Sequence, residues 1–175
     1  MPAHPARIAF TLASLTAFAA VVPAQQYTYP FQNPNLSLEQ RVANILSLLT
    51  LDEKIGQMNQ YNDDWNATGP VTLDSTKKEQ LRNGQLGSLL NCVGTRRTRV
   101  WQEVAMQSRL KIPLLFGQDV IHGYKTTFPI PLAEAASWDL KAIELSARIA
   151  ATEASSAGVH WTFAPMVDIA RDPRW

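Results

Sequence analysis

One cysteine, Cys92, is present in 175 residues. It has no partner with which to form an intrachain disulfide, and it closes the apolar stretch "LGSLLNCV" with no histidine in a recognisable local pattern. The sequence therefore reads it as a small buried hydrophobe rather than a catalytic thiol. No run of like charge exceeds three residues. Sixteen Lys and Arg stand against fifteen Asp and Glu, so there is no electrostatic ground for a nucleic-acid or anionic-membrane partner. No Gly-x-Gly-x-x-Gly follows an apolar run, and no Walker A pattern occurs. That removes the usual signals of dinucleotide and phosphate cradles. Metal ligands are sparse, with only three histidines, and His122 reads as one without Cys, His or carboxylate partners at ligand spacing. No cofactor and no metal are expected. No apolar run reaches the roughly 20 residues of a membrane span.

The composition is globular, with 46% of residues apolar and 18% charged. The first 24 residues read as a secretory leader. Arg7 lies in the short n-region, "IAFTLASLTAFAAVV" supplies an uncharged apolar core, and Val22 and Ala24 are the small residues before a cut. The product is expected to be exported, to a periplasm or outside the cell, and free of the membrane after cleavage. Residues 25–36, rich in Pro, Asn and Gln, read as an extended linker, and 37–175 as a domain. Asn-x-Ser/Thr sequons stand at Asn35 and Asn66.

Within the domain, Ser37 with Gln40 and Thr50 with Glu53 form capping-box patterns. They predict two successive helices, "SLEQRVANILSLL" and "TLDEKIGQM". Residues 61–75, with Gly69-Pro70, read as a surface loop that holds Asp63 and Asp64. "TKKEQLRNG" predicts a short polar helix. Val100, Trp101, Val104 and Ala105 form the inward face of a helix over 95–110. Leu140, Ile143, Ala147 and Ile149 suggest the inner stripe of a long helix ended by Gly158. Between these helices stand three short, continuously apolar runs, "LGSLLNCV", "IPLLF" and "VHWTFAP". Such runs, alternating with helices, predict parallel strands buried on both faces. Two architectures remain, an open doubly wound sheet or a (β/α)8 barrel. Both gather chemistry at the carboxyl ends of the strands. Asp119, just past "LLFG", falls on that rim. Spacing alone leaves open whether it holds a ligand, caps a turn or pairs with an arginine.

"LTLDEKIGQM", "RLKIPLLFGQDVIHG", "TTFPIPLAEAASWD" and "FAPMVDIARDPRW" resemble successive segments of glycoside hydrolase family 3, in register from about Leu36 to Trp175. The secreted or periplasmic bacterial β-glucosidases are the nearest in pattern. The resemblance implies an α/β fold, a partial (β/α)8 TIM-barrel-like domain. It implies an exo-acting retaining enzyme that hydrolyses terminal non-reducing β-D-glucosyl residues, with β-glucosides and cello-oligosaccharides as small-molecule partners. A β-xylosidase or β-N-acetylhexosaminidase of the same family, or a non-catalytic sugar-binding module, are the alternatives.

Residue by residue, the resemblance places Asp119 on the acid that hydrogen-bonds hydroxyls of the innermost sugar. His122 and Gly123 match the loop motif beside it. Pro129 and Pro165 read as rigid turns, and Asp168, Arg171, Asp172 and Arg174 as a charged cluster tying a loop. A Gly-Arg pair, a Lys-His pair, the nucleophilic Asp and the acid/base Glu of the family have no counterpart up to Trp175. The expectation is thus a fragment of the barrel, with about three strands and no catalytic residue in the chain.

Overall fold

The computed structural model describes residues 26–63, 75–167, 169, 171 and 172. The chain divides into two compact units, Met1–Asn44 and Ile45–Trp175. In the first, Pro30–Gln32 forms a 3-10 turn within the expected linker. Phe31 is buried there and stacks on Tyr29. Its backbone N–H donates to Asn44 Oδ1 (3.1 Å), and its carbonyl accepts from Arg41 Nε (2.7 Å). Ser37 and Gln40 make the anticipated reciprocal cap of helix α1 (Leu38–Leu48).

The second unit continues with α2 (Leu51–Met58), β1 (Gln60–Asn62), α3 (Ser75–Arg82), β2 (Ser88–Leu90), α4 (Thr95–Ala105), β3 (Leu115–Gln118), α5 (Pro131–Ala136), α6 (Leu140–Ser156) and β4 (Trp161–Thr162). The Thr50–Glu53 box caps α2, each side chain meeting the other's backbone N–H. All strand pairs are parallel, and the sheet order is β1-β2-β3-β4. A doubly wound sheet must reverse its order at a switch point. This one advances in one direction, each strand beside its predecessor, which is the winding of a TIM-barrel-like domain. Four strands are present among the described residues where three were expected. The extra one, β1, takes Tyr61 and Asn62 out of the predicted loop.

The three apolar runs shrink to short strands, and burial on both faces holds only for part of the sheet. Ser88 and Leu89 are buried, whereas Leu115 is 51% exposed and Trp161 43%. Leu115 and Phe116 instead show the alternation of a half-covered strand. One side carries the main core: Leu81 of α3, Leu89 of β2, Trp101, Val104 and Ala105 of α4, and Phe116 of β3, with Leu86, Cys92 and Leu114. Fully burying each large aliphatic or aromatic side chain contributes about 1.5–3 kcal/mol. The inward face predicted for α4 is thus the one found, with Val100 half-buried at its edge.

Helix α6 differs from expectation. Leu140 is 80% exposed, and the buried positions are Ser146, Ala150 and Ala154 at a spacing of four. They pack with Val120 and Val159. Of the expected stripe, Ile143 and Ile149 are half-buried and Ala147 is exposed. Gly158 closes the helix as expected, its N–H donating to Ser155 O (3.0 Å).

Candidate functional site

The register sorts the strand residues into two faces. Tyr61, Leu89 and Phe116 share one row, and all three pack on the helix side. Their neighbours in each strand belong to the opposite face, which a barrel turns towards its axis. Gln60, Ser88 and Leu115 form the row below; Asn62, Leu90 and Gly117 form the row above.

Asp119 follows β3 directly, and the chain turns at it, Val120 N–H donating to Gln118 O (3.0 Å). The next residue, Val120, turns under Ala150 and Ala154 of α6. Asp119 is exposed. Among the described residues its carboxylate has neither a hydrogen-bond nor an ion-pair partner. Among the described residues it caps no turn and meets no arginine, so neither structural alternative left open by spacing is realised among them. An ionised carboxylate in that state can accept several O–H donors.

Next to it along the rim, Asn91 continues β2 with φ 63°. Its N–H donates to Gly117 O (2.9 Å), and its Nδ2 donates to Asn62 Oδ1 (2.8 Å). One strand further, Asp63 is 2% exposed rather than lying in an open loop. It forms a two-pronged ion pair with Arg97 of α4, through Nε to Oδ2 and through Nη2 to Oδ1 (3.0 Å). Arg97 stands in the first turn of α4, where the helix dipole disfavours a cation. The Asp63 carboxylate offsets that. Cys92, buried beside the pair, keeps its proton: burial pushes the thiol up, and the Asp63 charge adds to it. It is the buried hydrophobe the sequence suggested.

The loop after Asp119 is a closed miniature hairpin. Gly123 bridges Thr127, and Phe128 N–H donates to His122 O (2.8 Å). Gly123 has φ 108°, and a Cβ there would fall 2.0 Å from Thr126 O. Only glycine fits. Glu153 of α6 holds the tip, accepting from the N–H groups of Lys125 and Thr126 (2.8 Å each) and from Thr126 Oγ1 (2.7 Å). The Thr126 hydroxyl bond is the largest cause holding Glu153 below the usual carboxylate range. His122 is exposed, with Nδ1 at 3.1 Å from Phe128 O. Among the described residues no cluster of three His, Cys, Asp or Glu could hold a metal.

Pro129 follows this loop, and Ala164–Pro165 is a cis peptide. Asp168 and Arg174 of the expected charged cluster, with Asp64 and Asn66, lie outside the described residues, as does the leader. Arg171 and Asp172 are exposed, and so is Asn35. Beside the rim, a groove of about 710 Å³ runs between α5, α6 and β4, its largely apolar walls including Val120, Ile143, Ala150, Ala154 and Met166. Its apolar walls suit side-chain packing better than a hydroxyl-rich ligand.

Three residues of this region were not legible beforehand. Asp63 and Gln60 were missed because "QYN" has no apolar run to mark β1. Glu153 carries no local signal, since its partners are 27 and 28 residues away.

Comparison with known proteins accounts for the arrangement. The profile described as Glycosyl hydrolase family 3 N terminal domain matches residues 50–175. A periplasmic beta-glucosidase of Salmonella typhimurium is 42% identical over 149 residues, which cover 83% of this chain and 19% of that protein. A lysosomal beta glucosidase of Dictyostelium discoideum is 26% identical over 183 residues, 90% of this chain and 22% of the relative. Among solved structures, a beta-glucosidase from Listeria innocua in complex with isofagomine superposes with a TM-score of 0.65 at 41% identity. It covers 80% of this chain and 19% of that one. The chain thus spans about a fifth of the length of these relatives. Its one-way parallel sheet and the profile match over residues 50–175 together place the chain in glycosyl hydrolase family 3, within the N-terminal domain.

Proposed function

We propose that the whole protein is an exported, exo-acting, retaining β-glucosidase, and that this chain contributes the rim that grips the non-reducing-end sugar through Asp119. The observation that carries this reading is an exposed carboxylate without a partner among the described residues, directly past β3 in a family 3 barrel domain. An ionised carboxylate accepts two sugar O–H groups at once, and each charge-assisted bond contributes about 1.5–3 kcal/mol. Solved relatives carry glucose and laminaribiose, which supports a glucosyl ligand.

Retaining hydrolysis needs two carboxyl groups about 5–5.5 Å apart, one to attack and one to protonate the leaving oxygen. We assign that pair to the four-fifths of the relatives' length that this chain does not span. In this division Asp119 positions the ring and excludes no water by itself; its part is orientation, on which an effective barrier reduction depends. Export rests on the leader pattern around Arg7 and Ala24 and on the periplasmic relative.

The test is hydrolysis of an aryl β-glucoside by the whole protein, with the first-formed anomer read by NMR. Release of β-glucose first supports the reading. Release of α-glucose first, or turnover of xylosides or N-acetylhexosaminides in preference, overturns it.

A further inference from the structure

The Asp119 carboxylate has no partner of its own among the described residues, so its aim is set by the backbone on either side. Upstream, Gln118 is fixed in β3 against Thr162 of β4. Downstream, the chain turns, and Val120 packs against Ala150 and Ala154 of α6, with Tyr124 against the same cluster. Apolar packing is non-directional. It holds the segment to the helix without deciding how the segment lies along it. The directional contact comes from the loop over 122–128. Phe128 N–H donates to His122 O (2.8 Å) and Gly123 bridges Thr127, so a constraint at the tip is carried to the base at His122, three residues from Asp119. Lys125, Thr126 and Thr127 at the tip are exposed. Among the described residues, the hydrogen bonds from this tip to α6 all end on Glu153. Oε2 accepts from the N–H groups of Lys125 and Thr126 (2.8 Å each), and Oε1 accepts from Thr126 Oγ1 (2.7 Å). Bonds to an ionised acceptor are roughly twice as strong as neutral ones.

We infer that Glu153 is a positioning residue for Asp119. By tying the loop tip to α6, it fixes the segment that leaves Asp119, and with it the direction in which the carboxylate faces the sugar. The inference rests on the proposed sugar-gripping role of Asp119. It also gives Gly123 a reason: the closed loop, which only glycine at that position allows, carries the constraint from tip to base.

The test uses Glu153→Ala in the whole protein, which removes all three contacts. KM for an aryl β-glucoside should rise about tenfold, within the roughly hundredfold that a misplacement of about 1 Å costs. The turnover number kcat should be nearly unchanged, the pattern of lost binding shared by ground and transition states. Glu153→Gln keeps an acceptor for the two N–H groups and turns an amide N–H towards Thr126 Oγ1, which accepts as well as donates. It should return KM to within about threefold of the wild type. In the Asp119→Ala background Glu153→Ala should add nothing, because the two residues act as one unit. Unchanged KM in Glu153→Ala, a Gln variant as impaired as the Ala one, or a loss that adds in full to that of Asp119→Ala overturns the inference. Should Glu153→Ala lower the melting temperature sharply, Thr126→Val, an exposed change on the loop itself, removes the hydroxyl bond alone. KM should then rise about threefold, again without adding to Asp119→Ala, and unchanged KM or full additivity overturns the inference. Asp119→Ala without effect on KM would bring down the sugar-site reading itself, and the role of Glu153 with it; an effect at Asp119 with additivity at Glu153 removes only the latter.

Discussion

Arg97→Ala should be among the most destabilising single changes in this unit, and the structure says by how much. The Asp63 side chain is 3% exposed and that of Arg97 11%, and two hydrogen bonds join them. Removing the guanidinium leaves a buried carboxylate uncompensated, at a cost of about 3–5 kcal/mol. Native domains hold only about 5–15 kcal/mol in total. Urea unfolding followed by tryptophan fluorescence is a suitable assay, because Trp101 is 1% exposed on the same helix. At a slope of about 2 kcal/mol per molar, the midpoint should fall by about 1.5–2.5 M with the slope unchanged. Replacing both partners, Asp63→Leu with Arg97→Met, should recover most of the loss, since no charge is then stranded. A single Arg97→Ala within about 0.5 kcal/mol of the wild type, the range of an ordinary surface change, would refute the reasoning.

Two further outcomes are expected. Glu53 accepts from Arg109 Nε (3.0 Å) and Nη2 (2.5 Å), and this bonding holds its carboxyl below the usual range against the opposing effect of burial. A depressed folded-state pKa contributes stability that is complete above the unfolded value, near 4.5, and is lost as pH falls through the folded one. Melting temperature should therefore drop on acidification below that value, and Glu53→Gln should flatten this part of the profile while lowering stability at neutral pH; an identical acid limb in the variant would contradict it. For the leader, N-terminal sequencing of the exported protein should begin at Gln25, and an intact Met1 would contradict processing after Ala24.

Much of the fold could be read from the residues because local and tertiary preferences agree. Thr50 and Glu53 cap a helix by chemistry that needs no distant partner, and Trp101 with Val104 and Ala105 marks an inward face by period alone. Asp119 could be placed on the rim because "LLFG" announces its strand. Where local pattern and packing disagree, the sequence misled. Gln60–Asn62 carries no apolar run and is a strand only because β2 offers it a ladder. On α6 the expected stripe is only partly buried: Ile143 and Ile149 are half-buried but Leu140 and Ala147 are exposed, and the buried positions are Ser146, Ala150 and Ala154. Helix α5 starts at Pro131, a proline suited to a first turn, yet "PLAEAA" is too short for a periodic signal. Asp63 joins Arg97 across 34 residues, a pairing that exists only once β1 lies beside β2.

Glucose binding to the whole protein, measured by calorimetry before and after Asp119→Ala, bears most directly on the proposed sugar contact at Asp119. Loss of two charge-assisted bonds should weaken affinity at least about a hundredfold, with the melting temperature of the unliganded protein unchanged because this exposed side chain has no partner among the described residues. Affinity retained within about twofold would contradict the account.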